Sequence, residues 1–279
     1  FPGAGAEITC VVSDSIDDHD RPLAVCIHGF PDTPHTWRHL TPRLEAAGWR
    51  VAAPFLRGYA PSEVPADGCV QTGASALDVI ALHTRLGGDG RAAIIGHDWG
   101  APITYGAANH APDRWAKVVA MAVPPGPALA TAFLTNHDQL KKSWYMFFFQ
   151  HPLADLVVPA DDLAFIDTIW SDWSPGYESG DDVLAVKSAL RDPANLAAAI
   201  GYYRAALSGV GVRDDLAEVQ AATSVVPSQP LLYLHGAVDG CVGAEVAESA
   251  RGDVGPNVTI DIVPDVAHFL HLESPDAIN

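Results

Sequence analysis

Short apolar runs alternate with longer amphipathic stretches along most of the chain. Six runs have the length of buried strands, and the stretches between them carry apolar residues at helical spacing. This alternation predicts an α/β fold, with a mostly parallel sheet flanked by helices. The predicted core strands are 23–28, 50–54, 92–96, 117–123, 230–235 and 258–263, the predicted antiparallel edge strand is 7–12, and predicted core helices are 42–48, 74–86 and 100–110.

The alternation fails between about Pro124 and Arg213. This segment opens with Pro124-Pro125-Gly126-Pro127 and contains three helical patterns but no clear strand. Its aromatic residues cluster in two short motifs instead of spreading along a helical stripe, which favours a lid over additional covering helices. We therefore expect a core made of residues 1–126 and 213–279, with residues 127–212 inserted as a helical lid.

Composition restricts the class of partner. The chain is 48% apolar and 18% charged, which is typical of a globular protein, and its apolar runs are too short to span a bilayer. A net charge of -18 with only 16 Lys and Arg argues against nucleic acid, whose phosphates require a basic surface. The four cysteines lack metal-type spacing, so we expect reduced thiols in a cytoplasmic protein with no metal site. Because the chain starts at Phe1 without Met, we also expect terminal sequence to be missing.

A carboxylate occupies the position that holds the nucleophile in a G-x-S-x-G turn. Gly96-His97-Asp98-Trp99-Gly100 follows a predicted strand and precedes a helix, as in the G-x-S-x-G turn that exposes its middle side chain above a sheet. Asp98 takes the place of the serine, and a carboxylate is ionised at neutral pH without help from a base. Its attack on an sp3 carbon would leave an alkyl ester of the enzyme, which water must then hydrolyse.

Two backbone N–H groups are candidates for an oxyanion hole. His28-Gly29-Phe30-Pro31 follows another predicted strand, and its glycine permits close approach of the main chain. The N–H of Phe30, together with that of Trp99, could stabilise the charge that develops on the Asp98 carbonyl oxygen when water attacks the ester. A purely structural turn is the alternative reading of this motif.

The base and its orienting acid are expected after the last two strands. His268 is favoured among the twelve histidines because it follows the last strand, the final place in the order nucleophile, acid, histidine. His271 is the competitor, although a helix should already have begun there. Asp239 follows the penultimate strand and would fix the imidazole tautomer. Weaker rivals for the acid are Asp253, Asp261 and Asp265.

With these motifs the chain resembles the alpha/beta-hydrolase superfamily and, within it, the epoxide hydrolases. The resemblance covers nearly the whole length. The blocks that carry it are His28-Gly29-Phe30-Pro31, Arg57-Gly58-Tyr59, Gly96-His97-Asp98-Trp99-Gly100, Asp239 and His268. It implies a cis peptide bond before Pro31. One departure is Ala267, where the family usually has glycine before the histidine.

The resemblance also assigns two tyrosines in the lid. Epoxide hydrolases hold the epoxide oxygen with two lid hydroxyls, one near a Trp-Tyr motif and one in a Tyr-Arg motif. By match these are Tyr145, in Ser143-Trp144-Tyr145-Met146, and Tyr203, in Gly201-Tyr202-Tyr203-Arg204. A phenol is neutral at pH 7 yet acidic enough to stabilise or protonate an alkoxide. Each tyrosine by itself could instead be a half-buried aromatic with a satisfied hydroxyl.

The resemblance leaves other activities open. Haloalkane dehalogenases share the Asp-Trp pair, and in them the indole N–H helps to bind halide, but Phe30 stands where they commonly have asparagine. Fluoroacetate dehalogenases have arginine at the position of Trp99, which disfavours a carboxylate substrate here. A ligand-binding receptor with vestigial chemistry is an alternative from a different class, and a saturable turnover assay would distinguish it.

The sequence therefore predicts a cofactor-independent epoxide hydrolase that converts a small hydrophobic epoxide and water to a vicinal diol. The expected partners include neither nucleic acid nor membrane, and the oligomeric state is open. Pocket residues are expected among Trp99, Phe30, Trp37 and Phe148, with Phe133, Phe165 and Trp170 as further aromatic candidates.

Overall fold

A seven-stranded sheet forms the centre of the computed structural model, which describes all 279 residues. Its strands are β1 (Cys10–Val12), β2 (Leu23–Ile27), β3 (Arg50–Pro54), β4 (Ala92–His97), β5 (Trp115–Met121), β6 (Leu231–Gly236) and β7 (Val258–Val263). Their spatial order is β1-β3-β2-β4-β5-β6-β7, and only β1 runs antiparallel to its neighbour. The predicted α/β class, with a mostly parallel sheet, is confirmed.

Helices cover the sheet and link its strands. They are α1 (Leu40–Ala46), α2 (Thr72–Arg85), α3 (Gly100–His110), α4 (Ala128–Thr135), α5 (His137–Lys142), α6 (Trp144–Phe148), α7 (Ala154–Val157), α8 (Ala160–Trp173), α9 (Gly180–Leu190), α10 (Pro193–Ser208), α11 (Ala217–Ala222), α12 (Ala244–Ser249), α13 (Leu270–Glu273) and α14 (Pro275–Ile278). Short 3-10 helices span Pro34–Arg38, Pro112–Arg114, Asp214–Leu216 and Ala250–Gly252. None of these helices is long and apolar enough to cross a membrane.

The sheet is buried on both faces, which explains the continuous apolar runs of its central strands. Every residue of β2 and β4 is buried. Val25 and Ile94 belong to the larger hydrophobic cluster, whereas Cys26 and Ile95 belong to a smaller one, as alternation along a strand requires. The carboxyl ends of β2, β4 and β6 consequently lie at one edge of the sheet, where loops can bring their side chains together.

The regular secondary structure between β5 and β6 is all helical, from α4 to α11. Seven helices lie within 127–212, although the sequence suggested only three helical patterns. The additional ones are short. Pro152 and Pro159 bracket α7, since a proline cannot continue a helix, whereas α4, α5 and α6 are separated by Asn136 and Ser143, and Asn136 caps α5 with its side chain. At the start of α8, Asp161, Asp162 and Leu163 have left-handed backbone angles with φ between 50° and 61°, so its regular part begins after them.

Candidate active site

Asp98 lies in a strained turn between β4 and α3. Its φ is 51°, a conformation that is costly for a residue with a side chain and that aims the carboxylate above the sheet edge. Gly96 makes the turn possible, since a Cβ there would collide with the carbonyl of Gly100. Gly29 is needed for a similar reason, because a Cβ at that position would run into the Asp98 carboxylate. The two glycine-containing motifs therefore meet at Asp98.

Backbone N–H groups surround the Asp98 carboxylate. The N–H of Phe30 donates to Oδ1 at 2.7 Å, and the N–H of Trp99 is near enough to lower the pKa of the carboxylate. Burial raises the pKa of Asp98, although these donors and the nearby His268 oppose that shift. The carboxylate is thus a desolvated anion, and forming an ester would remove its buried charge.

His268 lies between two carboxylates. Its Nδ1 donates to Oδ2 of Asp239 at 3.0 Å, which leaves Nε2 directed at Asp98 Oδ2, 3.8 Å away, with no hydrogen-bond partner. Burial by itself would lower the pKa of His268, but the charge and hydrogen bond of Asp239 outweigh burial and raise it. Burial likewise opposes ionisation of Asp239, yet His268 and the N–H of Val242 lower its pKa overall. The rivals Asp253, Asp261 and Asp265 make no such contact with His268.

The loops that carry Asp239 and His268 are anchored to the helical segment. Gln139 of α5 donates to the carbonyl of Cys241, and the N–H of Gly243 donates back to its side chain. At the end of α8, the N–H of His268 donates to the carbonyl of Trp173. The acid and the base therefore depend on the inserted helices for their positions as well as on the sheet.

Tyr145 and Tyr203 face Asp98 across a small cavity. Both are buried, their rings meet edge-on with centroids 5.5 Å apart, and both line the cavity together with Asp98. The Tyr203 hydroxyl makes no hydrogen bond to a protein group, and the Tyr145 hydroxyl lies 3.4 Å from the Cys241 sulfur. Burial raises the pKa of both phenols well above 10, so both are protonated donors at neutral pH.

Apolar side chains form most of the cavity. Its lining is completed by Trp99, Pro102, Val123, Leu129, Ser143, Met146, Cys241 and Val242. Its volume is about 50 Å³. At roughly 10–15 Å³ for each water, that volume holds only a few water molecules. Among the polar groups on its wall, the carboxylate of Asp98 stands opposite the two phenols, and the indole nitrogen of Trp99 is buried without a partner.

Of the aromatic residues that the sequence suggested for the pocket, only Trp99 lines the cavity. Trp37 packs in the smaller hydrophobic cluster, stacked on His271 with ring centroids 4.7 Å apart. Phe148 stacks on Phe165 and contacts Trp144, so it packs among aromatics of the helical segment outside the cavity lining. The Phe30 ring packs edge-on against Tyr203, at 5.2 Å, and supports the cavity wall from behind.

Sequence reasoning missed Cys241 and the polar residues behind His268. Cys241 lies two residues after Asp239 on a loop that must pass the site, and this spacing was the available signal. Behind the base, the buried His97 ring donates from Nε2 to the His268 carbonyl at 2.9 Å. His271 lies within α13, and burial lowers its pKa to about 3, so it stays neutral. Arg57 is structural, because its guanidinium forms a buried ion pair with Asp78 at 2.7 Å.

Comparisons with known proteins agree with this geometry. Residues 22–275 match a family model described as alpha/beta hydrolase fold. The AB hydrolase superfamily protein YfhM of Bacillus subtilis is 30% identical over 93% of this chain and 88% of its own length. Epoxide hydrolase 4 of Mus musculus is 26% identical over 94% of this chain and 72% of its own. The crystal structure of the Bacillus megaterium epoxide hydrolase with an inhibitor superposes with a TM-score of 0.80 at 24% identity, covering 100% of this chain and 96% of that one. The chain therefore belongs to the alpha/beta-hydrolase superfamily.

Proposed function

We propose that the protein hydrolyses a small apolar epoxide to a vicinal diol through an ester of Asp98. The observation that carries this proposal is the pair of uncommitted phenols, Tyr145 and Tyr203, facing a buried carboxylate across a small, mostly apolar cavity. An epoxide needs a nucleophile on its carbon and, on the opposite side, donors to its oxygen. We also propose that residues 127–212, which supply both phenols, act as the lid.

In the first step Asp98 Oδ2 attacks an epoxide carbon, and the carbon–oxygen bond of the ring breaks. The departing oxygen receives hydrogen bonds, and then a proton, from the lid phenols. Oδ1 becomes the carbonyl oxygen of the ester and keeps its hydrogen bond from Phe30. The substrate remains tethered to the enzyme as a hydroxyalkyl ester.

In the second step His268 Nε2 removes a proton from a water molecule, which attacks the ester carbonyl carbon. Charge develops on Oδ1, where the N–H groups of Phe30 and Trp99 stabilise it. Asp239 stabilises the imidazolium that forms on His268. Collapse of the tetrahedral intermediate releases the diol, and one oxygen of the Asp98 carboxylate now comes from water. The proton on His268 passes to the departing alkoxide. The second proton of the water, left on the Asp98 carboxyl, returns to the phenolate formed in the first step, so both Asp98 and the tyrosine regain their starting states.

His268→Ala tests the two-step scheme. The variant should still form the ester but not hydrolyse it, so intact-protein mass spectrometry should show one added substrate mass. His268→Ala combined with Asp98→Ala is the matched control and should show none. In a single wild-type turnover in heavy-oxygen water, the label should enter the Asp98 carboxyl and not the diol. Label in the diol from the first turnover, or an unmodified His268→Ala protein with substrate bound, would contradict the scheme.

Haloalkane dehalogenation is the second candidate, favoured by one observation. The Trp99 indole nitrogen is buried without a partner beside the cavity, and an N–H there could stabilise a departing halide. The phenols distinguish the two reactions, since only ring opening places an oxygen that stays attached to the substrate opposite Asp98. Bromoalkanes that turn over faster than every epoxide in a panel of terminal, aryl, trans-disubstituted and fatty-acid epoxides would favour this second candidate.

A further inference from the structure

Three different metal-ligand types converge in the cavity. The Cys241 sulfur, a carboxylate oxygen of Asp98 and a ring nitrogen of His268 lie within 4.8 Å of one another, and all three side chains are buried. The scheme proposed above uses the carboxylate and the imidazole but not the thiol. Cys241 lines the same cavity, so a small solute that reaches Asp98 also reaches its sulfur.

The His268 imidazole already has the hydrogen bonding of a metal ligand. A histidine that binds a metal nearly always donates its other ring N–H to a carboxylate or carbonyl, which fixes the tautomer and makes the ligating nitrogen more basic. His268 does this, because Nδ1 donates to Asp239 and Nε2, buried without a partner, is directed into the site. Asp98 also has one atom fixed and one atom free to bind: Oδ1 accepts a hydrogen bond from Phe30, and Oδ2 faces His268.

Distances fit a tetrahedral cation. Zinc binds sulfur at about 2.3 Å and nitrogen or oxygen at about 2.0–2.2 Å, so neighbouring ligand atoms should be roughly 3.4–3.6 Å apart. The distance from His268 Nε2 to Asp98 Oδ2 is 3.8 Å, which requires an inward shift of only a few tenths of an ångström. Rotation of the Cys241 side chain can bring its sulfur closer, and a water in the cavity can serve as the fourth ligand.

We propose that Asp98, Cys241 and His268 form a site for a thiophilic divalent cation, Zn²⁺ or Cd²⁺. Binding exchanges the thiol proton, released to solvent, for a metal–sulfur bond. The phenol of Tyr145, 3.4 Å from the sulfur, then donates to the thiolate. The two negative charges of Asp98 and Asp239 beside His268 favour a cation over an anion. The Lys142 ammonium is also close, but it donates to the Asp239 carbonyl. A bound cation occupies both nucleophile and base, so it blocks hydrolysis and competes with substrate.

Metal binding is measured without substrate, which separates this proposal from the proposed function. Zn²⁺ is titrated into the metal-free protein against a chromophoric chelator, and Cd²⁺ binding is followed by its thiolate charge-transfer absorption in the ultraviolet. We expect one equivalent of each ion. Cys241→Ser should weaken Zn²⁺ binding by about 10–100-fold or more and remove the Cd²⁺ absorption. Cys10→Ser is the control, because Cys10 is the cysteine that is not buried, and it should change neither signal.

Loss of both signals in Cys10→Ser, or unchanged Zn²⁺ affinity in a folded Cys241→Ser, would overturn the site. If Cys241→Ser does not fold, His268→Ala provides the second test and should weaken Zn²⁺ binding comparably. In the wild type, Zn²⁺ should inhibit epoxide turnover competitively. Adding EDTA should reverse the inhibition. Noncompetitive inhibition would overturn the proposed overlap with substrate. Cys241-dependent binding by a protein that turns over no epoxide would leave the metal site standing and remove the proposed function.

Discussion

Removing the hydroxyl of Tyr203 should stabilise the protein and, at the same time, slow its reaction with epoxides. This hydroxyl is fully buried and lacks a hydrogen-bond partner, although water would solvate it in the unfolded chain. A buried polar group without a partner costs about 1–3 kcal/mol, and Tyr203→Phe removes that cost while leaving the ring in place. A protein of 150–250 residues shifts by roughly 2–4 °C per kcal/mol and a larger one by less, so Tm should rise by about 1 °C or more.

The same substitution removes a donor to the epoxide oxygen. We expect ring opening to slow by about tenfold or more, which corresponds to about 1.4 kcal/mol of lost transition-state stabilisation for each decade of rate. Haloalkane turnover, if present, should change little. Tm is followed by calorimetry, and consumption of the epoxide is followed under single-turnover conditions with enzyme in excess, so that ring opening is measured separately from ester hydrolysis.

Tyr202 provides the matched control one residue earlier. It is equally buried, but its hydroxyl donates to the Arg57 carbonyl at 3.0 Å and contacts Ser75. Tyr202→Phe should therefore lower stability by about 1 kcal/mol and leave ring opening nearly unchanged. If Tyr203→Phe instead destabilises the protein like Tyr202→Phe and keeps full epoxide turnover, the Tyr203 hydroxyl has no role in the reaction and the reasoning is refuted.

Two further predictions concern buried charges. Asp239→Asn should slow ester hydrolysis by about 10²–10⁴-fold, because the imidazole loses its orienting acid. It should also lower the pKa of His268, which Asp239 raises in the wild type. The acidic limb of the pH–rate profile, where His268 becomes protonated, should therefore move to lower pH. If stopped-flow measurements show that this limb does not move, Asp239 is not the group that raises the pKa. Arg57→Met should lower the free energy of unfolding by about 3–5 kcal/mol in urea titrations, because it leaves the buried Asp78 carboxylate without a cation, and Asp78→Leu in the same chain should restore much of the loss.

The sequence was most informative where local geometry determines side-chain position. The strands, their alternation with helices and the glycines flanking Asp98 are local features, and each predicts a backbone conformation by itself. The pairing of Asp239 with His268 was predictable from chain order, since both follow parallel strands whose carboxyl ends meet at one edge. The cis peptide bond before Pro31, implied by the family resemblance, is present.

Side chains on short helices were harder to predict, because packing rather than spacing decides where they point. Trp37 belongs to a 3-10 helix that follows β2, and it turns toward the sheet face, where His271 supplies a flat surface. Phe148 occupies a five-residue helix that is too short to define an apolar stripe, so its direction follows from Trp144 and Phe165. Cys241 was missed because a single thiol after the acid has no motif of its own.

Unsatisfied groups around Asp98 connect the fold to its chemistry. The Tyr203 hydroxyl, the Trp99 indole nitrogen and His268 Nε2 are all buried without partners, and Asp98 holds a left-handed backbone conformation. A buried polar group with no partner costs about 1–3 kcal/mol, and a strained residue costs a similar amount, so none of these features is explained by its contribution to stability. That cost is tolerated because the surrounding sheet and helices fix these atoms in place. A substrate that hydrogen-bonds to them recovers part of this free energy as it approaches the carboxylate, so the groups that destabilise the free protein are the ones available to the transition state.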